Sequence, residues 1–216
     1  MGNKLLRNPL LPMKIDMHVH SKYSGHSNLE ISTIAQILKR KGLDGFALTD
    51  HNTTRGWKQA RKVAKETGIT FIPSCEIKTD AGEVIGYHMT KEVKSTRFEE
   101  VLKELHSQGA KISIPHFQDY FRFPEAVLNK KRLLSSLKYI DYIELNGRAF
   151  PLFNYRARCF ANRHNLHIIA GSDAHWKWEL GSFYTDLTKN KVHIGYNFMF
   201  LINMTLTKMY KYMVKQ

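Results

Sequence analysis

The sequence predicts an α/β fold whose strands and helices alternate into an irregular β/α barrel, with a metal site at the carboxyl ends of the strands. Short apolar, strand-like runs alternate with stretches of helical periodicity along most of the chain. Polar residues stand where those strands end: His18 and His20, Asp50 and His51, Glu76, His116, Glu144, then Asp173 and His175. In β/α barrels the carboxyl ends of parallel strands meet on one rim, so such a set would converge there; roughly seven units, fewer than the usual eight, make the barrel irregular. A doubly wound sheet is the structural alternative.

The elements follow in order. Strand Lys14–His20 ends in a Ser/Gly loop, and Asn28 or Ser27 is placed to cap a helix through Ile31, Ile34, Ile37 and Leu38 that stops near Gly42. Gly45–Leu48 reads as a buried strand, and a second helix runs from about Arg55 to Glu66, closed by Gly68. Thr70–Pro73 leads into Cys75 and Glu76, Asp80–Gly82 reads as a turn, and Glu83–Met89 as the next strand. Phe98, Val101, Leu102 and Leu105 place a helix over Arg97–His106. Strand Lys111–Ile114 follows, and the stretch from Pro124 to Ser136 gives no clear pattern. Strand Tyr139–Leu145, a helix over about Leu152–Arg163 and strand His167–Ala170 complete the alternation.

With 216 residues and 43% hydrophobic content, one sizeable core is expected. Residues 14–187 read as the domain and 188–216 as a C-terminal extension, expected to be helical and packed on it. The formal charge of +14 and the pI of about 9.7 favour anionic partners such as nucleic acid or phosphorylated metabolites; a solvated lysine-rich surface is the plainer reading. Cys75 and Cys159 are too few for a disulfide scaffold or a thiolate zinc site, which fits a reducing, cytoplasmic setting. The opening residues lack a signal peptide's apolar run. Ile194–Leu206 is too short and too interrupted by Asn197, Asn203 and Thr205 to span a bilayer, so no membrane partner is expected.

Within Lys14–His20, strand alternation puts Asp16, His18 and His20 on one face and Ile15, Met17 and Val19 on the other. Neutral imidazole is the commonest protein ligand for zinc-like ions, and a neighbouring carboxylate can fix its tautomer. A lone His-x-His is weak evidence, and the recurrence of similar residues at later strand ends is what gives it weight. Histidine and carboxylate ligands without thiolate suit zinc, manganese or iron(II) alike.

The ordered series His18-x-His20, Thr49-Asp50-His51, Glu76, Pro115-His116 and Gly171-Ser172-Asp173-Ala174-His175 resembles the PHP (polymerase and histidinol phosphatase) domain, over about residues 14–187. The resemblance implies a distorted (β/α)7 TIM-like barrel that binds two or three divalent ions (Zn, Mn or Fe) and hydrolyses phosphate esters. Carried over by position, His18, His20, Glu76 and Asp173 would hold a first ion. Glu76 would bridge to a second, held also by His116 and by Glu83, with His88 as Glu83's rival. His51 and His175 would hold a third, completed by His26, because Gly25 occupies the position where some members carry an aspartate. Two ions about 3.5–4 Å apart can ionise a shared water at neutral pH, supplying the hydroxide for attack on phosphorus.

Glu76 and Asp50 are the candidate catalytic groups, with Asp50 and Asp16 serving either in proton transfer or in supporting hydrogen bonds. Arg148 and Lys22 are candidates for binding substrate phosphate, or else solvated charges. Glu144 matches an acidic position of the family without an assigned role. The stripe Trp176-Lys177-Trp178 could stack a base or sugar, or pack at the rim. The leading expectation is a phosphoesterase acting on nucleotides or short nucleic acids, by 5′-end trimming or bisphosphate dephosphorylation. The alternatives are a small-metabolite phosphatase of the histidinol-phosphatase type and a non-catalytic nucleic-acid-binding module.

Overall fold

The structure, a computed structural model, describes residues 13–122 and 129–196. Most of the apolar-rich stretch expected to form a C-terminal helix therefore lies outside the described residues, as does part of the unreadable region after Arg122. Nine strands form one sheet: β1 (Lys14–Val19), β2 (Gly45–Leu48), β3 (Thr70–Thr79), β4 (Gly82–Tyr87), β5 (Lys111–Ile114), β6 (Tyr142–Asn146), β7 (His167–Gly171), β8 (Phe183–Asp186) and β9 (Lys191–Ile194). Among the described residues five α-helices accompany them: α1 (Ile31–Arg40), α2 (Trp57–Thr67), α3 (Phe98–Ser107), α4 (Lys130–Ser135) and α5 (Pro151–Arg163). The sheet order is β7-β6-β5-β4-β3-β2-β1-β8-β9.

The sheet bends round until its two flanks meet at the carboxyl ends of β1 and β7. There Asp173 N donates to His18 O at 2.7 Å, His20 N donates to Ala174 O at 3.1 Å, and Val19 and Ala174 form a parallel bridge. Gly171 permits this approach, since a Cβ on it would lie 2.4 Å from His18 Cβ and 2.6 Å from the His18 amide nitrogen. The result is a nearly closed, TIM-like barrel of seven strands, with β8 and β9 continuing the sheet outside the closure.

The barrel is distorted at β4, which runs antiparallel to both β3 and β5. A tight turn joins β3 to β4 with no intervening helix, so the strand–helix alternation breaks at this point. The reversal matters for the site. Glu83, near the start of β4, lies opposite Lys78 in β3, at the same end of the barrel as the carboxyl ends of the parallel strands.

Two apolar layers hold the fold. Ile15, Met17, Ala47, Ile72, Ile85, Tyr87 and Ile169 come only from strands and fill the barrel interior. The larger layer packs Ile34, Leu38, Trp57, Leu102 and Leu105 of the helices against the outer face of the sheet. Val19 belongs to this outer layer rather than sharing the interior with Ile15 and Met17. The register of β1 against β2 slips between Asp16 and Val19, so strict alternation fails within that strand.

Two further local expectations change. Glu30, its carboxylate engaged by Lys22, occupies the N-cap of α1 without a side-chain cap bond, and the Ser27 hydroxyl donates to the carbonyls of His20 and His175 rather than capping the helix. Residues 191–194, expected to be helical, form β9 instead, paired antiparallel with β8 through a short turn in which Asn190 has a positive φ. No described helix is long and apolar enough to cross a membrane.

Candidate metal centre

Strand ends bring a set of imidazoles and carboxylates into one buried cluster. His18 Nε2 and His20 Nε2 lie 2.9 Å apart. Glu76 Oε2 is 3.2 Å from each of them, and Asp173 Oδ1 is 3.5 and 3.3 Å away respectively. All four side chains are almost wholly shielded from solvent.

The hydrogen bonds behind these rings fix their tautomers. The Glu144 carboxylate can only accept, so at 2.8 Å His18 Nδ1 must be its donor, which leaves the lone pair of neutral His18 on Nε2. Ser24 Oγ donates to Asp50 and so accepts from His20 Nδ1 at 2.9 Å, which leaves the lone pair of His20 on Nε2 as well. Two lone pairs and two carboxylate oxygens thus face one point. With both rings neutral, such a set is complementary to a cation, and without an ion the neighbouring carboxylates favour a proton on His18 instead. A tetrahedron around an ion bound at about 2.0–2.1 Å has edges of about 3.3 Å; the observed separations run from 2.9 to 3.5 Å.

The cluster continues through the other Glu76 oxygen. His116 Nε2 lies 2.9 Å from Glu76 Oε1 and 3.1 Å from Glu83 Oε2. His51 Nδ1 lies 3.4 Å from Glu76 Oε2 and 3.5 Å from Glu83 Oε1, buried and without a hydrogen-bond partner. An orphaned imidazole nitrogen aimed between two carboxylates fits a ligand for a divalent ion. A third grouping joins His20, His51 and His175, with ring centroids 4.7 Å (His20–His51) and 4.4 Å (His20–His175) apart. His51 thus serves two groupings, next to Glu76 and Glu83 as well as next to His175. His26, expected to complete the third site, is exposed and lies outside the groupings, with its ring 4.8 Å from both His51 and His175.

His116 and Asp173 are held at φ 32 and φ 55, a left-handed region uncommon for residues other than glycine. Backbone strain of this kind gathers where the surrounding structure fixes a side chain's aim. His88 also has a positive φ, but it is exposed outside the groupings, whereas Glu83 is inside.

Charge is unbalanced in the cluster. Burial opposes ionisation of His18, yet the Glu144, Glu76 and Asp173 carboxylates outweigh it and push its pKa well above the usual value. Burial and Arg122 act to lower the pKa of His116, but Glu76 and Glu83 carry it up to about 9. Burial takes His51 down to about 3, so this ring stays a neutral donor. Divalent ions would balance the excess negative charge, and the residues present fit them.

Supporting contacts complete the site. Asp50 accepts from the Ser21 amide, the Ser21 hydroxyl and the Ser24 hydroxyl, and so acts on His20 through Ser24. Asp16 accepts from the Ser172 amide and hydroxyl and from Gly181 N, which ties β1 to the segment after β7. Arg148 stands at the rim with Nη1 2.6 Å from His175 Nδ1 and Nε 3.6 Å from Glu179 Oε1. Lys22 is drawn instead to Glu30, 3.0 Å away on an exposed edge.

Three residues at the site went unread in the sequence. The Arg122 guanidinium pairs with Asp173 Oδ2 and Asp119. Asn146 donates to Glu144 and Asp173. Glu179 accepts from the amides of His175 and Trp176. Asn146 could have been found, because it sits two residues beyond Glu144 on one strand face. Arg122 and Glu179 lie in irregular segments with no periodic signal.

A distorted barrel that gathers histidines and carboxylates at one rim defines an α/β fold with side chains placed to hold metal ions. Residues 16–149 match the PHP domain and residues 151–193 the PHP-associated region, and the chain belongs to the PHP family. It is 32% identical over 185 residues to an uncharacterized protein of Methanocaldococcus jannaschii, covering 80% of this chain and 69% of the relative. Among solved structures it resembles a two-domain protein from Bacteroides vulgatus containing a predicted PHP-like metal-dependent phosphoesterase (TM-score 0.66, 22% identity, 80% of this chain and 55% of that one). It also resembles an amidohydrolase from Chromobacterium violaceum (TM-score 0.65, 15% identity, 85% and 98%). At these identities the structural likeness speaks for the fold.

Proposed function

We propose that this protein is a metal-dependent phosphoesterase that hydrolyses phosphate esters of nucleotides or short nucleic acids. The observation that carries the hydrolytic reading is the convergence of His18, His20, Glu76 and Asp173 on one point, continued through Glu76 to His116, Glu83 and His51. Divalent ions bound there would supply Lewis acidity and a water ionised at neutral pH.

The chain's own residues do the rest. Glu76 presents one oxygen to the His18/His20 side and the other to His116, so it couples the two halves of the cluster. Glu144 and the Ser24–Asp50 pair keep the His18 and His20 rings oriented. Arg148, beside His175, offers a guanidinium at the rim that suits the non-bridging oxygens of a phosphate. The nucleotide or nucleic-acid part of the proposal draws support from the formal charge of +14.

The test is a phosphate-release screen of metal-loaded protein against mononucleotides, nucleoside bisphosphates, oligonucleotides and histidinol phosphate, repeated over a range of salt. An oligonucleotide substrate gives binding that weakens steeply with ionic strength through counterion release, and a small monoester gives a shallow response. Absence of turnover on every phosphate ester with every metal would overturn the proposal.

A further inference from the structure

The turn after β7 carries an exposed aromatic pair beside the cluster. Trp176 and Trp178 are 43% and 57% exposed, whereas His175 before them and Glu179 after them are buried. Their rings are parallel to within 2°, with centroids 5.4 Å apart, an offset stack of two solvent-exposed indoles. Large aromatic side chains left together in solvent mark interaction sites more often than isolated ones do.

The turn is anchored at both ends. Glu179 Oε2 accepts from His175 N at 2.7 Å and from Trp176 N at 3.1 Å, and Glu179 N donates to Trp176 O at 3.0 Å. Just beyond, Gly181 N donates to buried Asp16. The same Glu179 faces Arg148, which contacts His175. The aromatic pair is therefore fixed relative to an imidazole of the cluster and to a guanidinium at its rim.

We infer that Trp176 and Trp178 form a stacking platform for the base of a nucleotide whose phosphate lies at the metal cluster. This rests on the phosphoesterase reading above and adds the residues that would select nucleotides from other phosphate esters. Every nucleobase has a flat π-face, so an already stacked, exposed indole surface receives it without base-specific hydrogen bonds. Lys177, between the two tryptophans in sequence and exposed, and Arg148, which contacts His175 and Glu179 next to the turn, add cationic groups to this flank, which suits an anionic nucleotide better than a neutral apolar partner. The platform predicts tolerance of base identity and discrimination against phosphate esters that lack a base.

The experiment is a titration of indole fluorescence, excited at the red edge of the tryptophan band, in full-length metal-loaded protein. The ligands are adenosine 5′-monophosphate, ribose 5-phosphate and inorganic phosphate. Trp57 is buried and supplies an unquenched background. Saturable quenching by the nucleotide, with little from the other two, is expected. Beside it, the ratio of kcat/KM for a nucleotide to kcat/KM for ribose 5-phosphate should fall at least about tenfold in the W176A/W178A variant, in keeping with about 1–3 kcal/mol per stacked base. Equal quenching by ribose 5-phosphate, no quenching by the nucleotide, or an unchanged ratio would overturn the platform. Loss of the phosphoesterase reading has a separate signature, because neither ester is then turned over while quenching by the nucleotide can still be measured.

Discussion

Glu144 Oε1 lies 2.8 Å from His18 Nδ1 while Glu144 Oε2 accepts the His116 amide at 3.0 Å, so one buried carboxylate holds two sides of the cluster in place. Outer carboxylates of this kind fix the tautomer and aim of a ligating imidazole, and their loss typically weakens metal binding about 10–100-fold. Glu144→Gln should therefore keep the fold while binding metal about 10–100-fold more weakly, as read by competition with a chelating dye. Unchanged affinity would show that His18 is oriented without Glu144.

The seam between β1 and β7 sets a second expectation. A methyl group on Gly171 would meet the His18 backbone and Cβ. Overpacking of this kind costs about 1–3 kcal/mol, so Gly171→Ala should lower Tm by several degrees and reduce metal content together. A variant as stable and as metal-rich as the parent would mean that the seam opens without cost.

Arg122 gives an expectation that depends on metal. Its guanidinium is the cation paired with Asp173 Oδ2, and Asp173 is 1% exposed. Removing one partner of a buried pair costs about 3–5 kcal/mol because the other charge is left uncompensated. Arg122→Met should thus be clearly destabilised after chelator treatment and much less so when metal-loaded, where bound ions offset the Asp173 charge. Calorimetry of both forms makes the comparison, and equal destabilisation in the two would separate Asp173 from the metal site.

Metal removal should itself lower stability. An ion that binds only the folded chain contributes about 2.7 kcal/mol at 100 times its Kd, and in the chelated cluster protons on His18 and His116 have to stand in for the charge of the ions. Chelator should lower Tm, and added Mn or Zn should restore it. A Tm indifferent to both would weigh against a structural contribution from metal.

The parts of this fold and site that could be read from the chain are the local ones. His18 and His20, Asp50 and His51, Asp173 and His175 are close in sequence and sit at strand ends, so they announce themselves without tertiary information. The double placement of His51, beside Glu76 and Glu83 as well as beside His20 and His175, is not legible in the sequence. His51 meets Glu83 only because β4 runs backwards, and the hairpin turn at 80–82 does not reveal that its second strand joins the barrel between β3 and β5. Arg122 sits in a single helical turn after Asp119, where no periodicity marks it. The hairpin of β8 and β9 is not legible although β2 and β5 are equally short, because β8 ends in the polar pair Thr185-Asp186 and β9 is largely exposed, so neither makes a buried apolar run.

The most direct test of the central claim measures metal and turnover together. Elemental analysis of the purified, reconstituted wild-type protein should find two or three equivalents of Zn, Mn or Fe. Glu76→Gln, which loses one oxygen of the carboxylate that couples the two halves of the cluster, should bind less metal and hydrolyse no phosphate ester. A folded wild-type chain with no metal, or a Glu76→Gln variant with full metal content and near-normal turnover, would contradict the account.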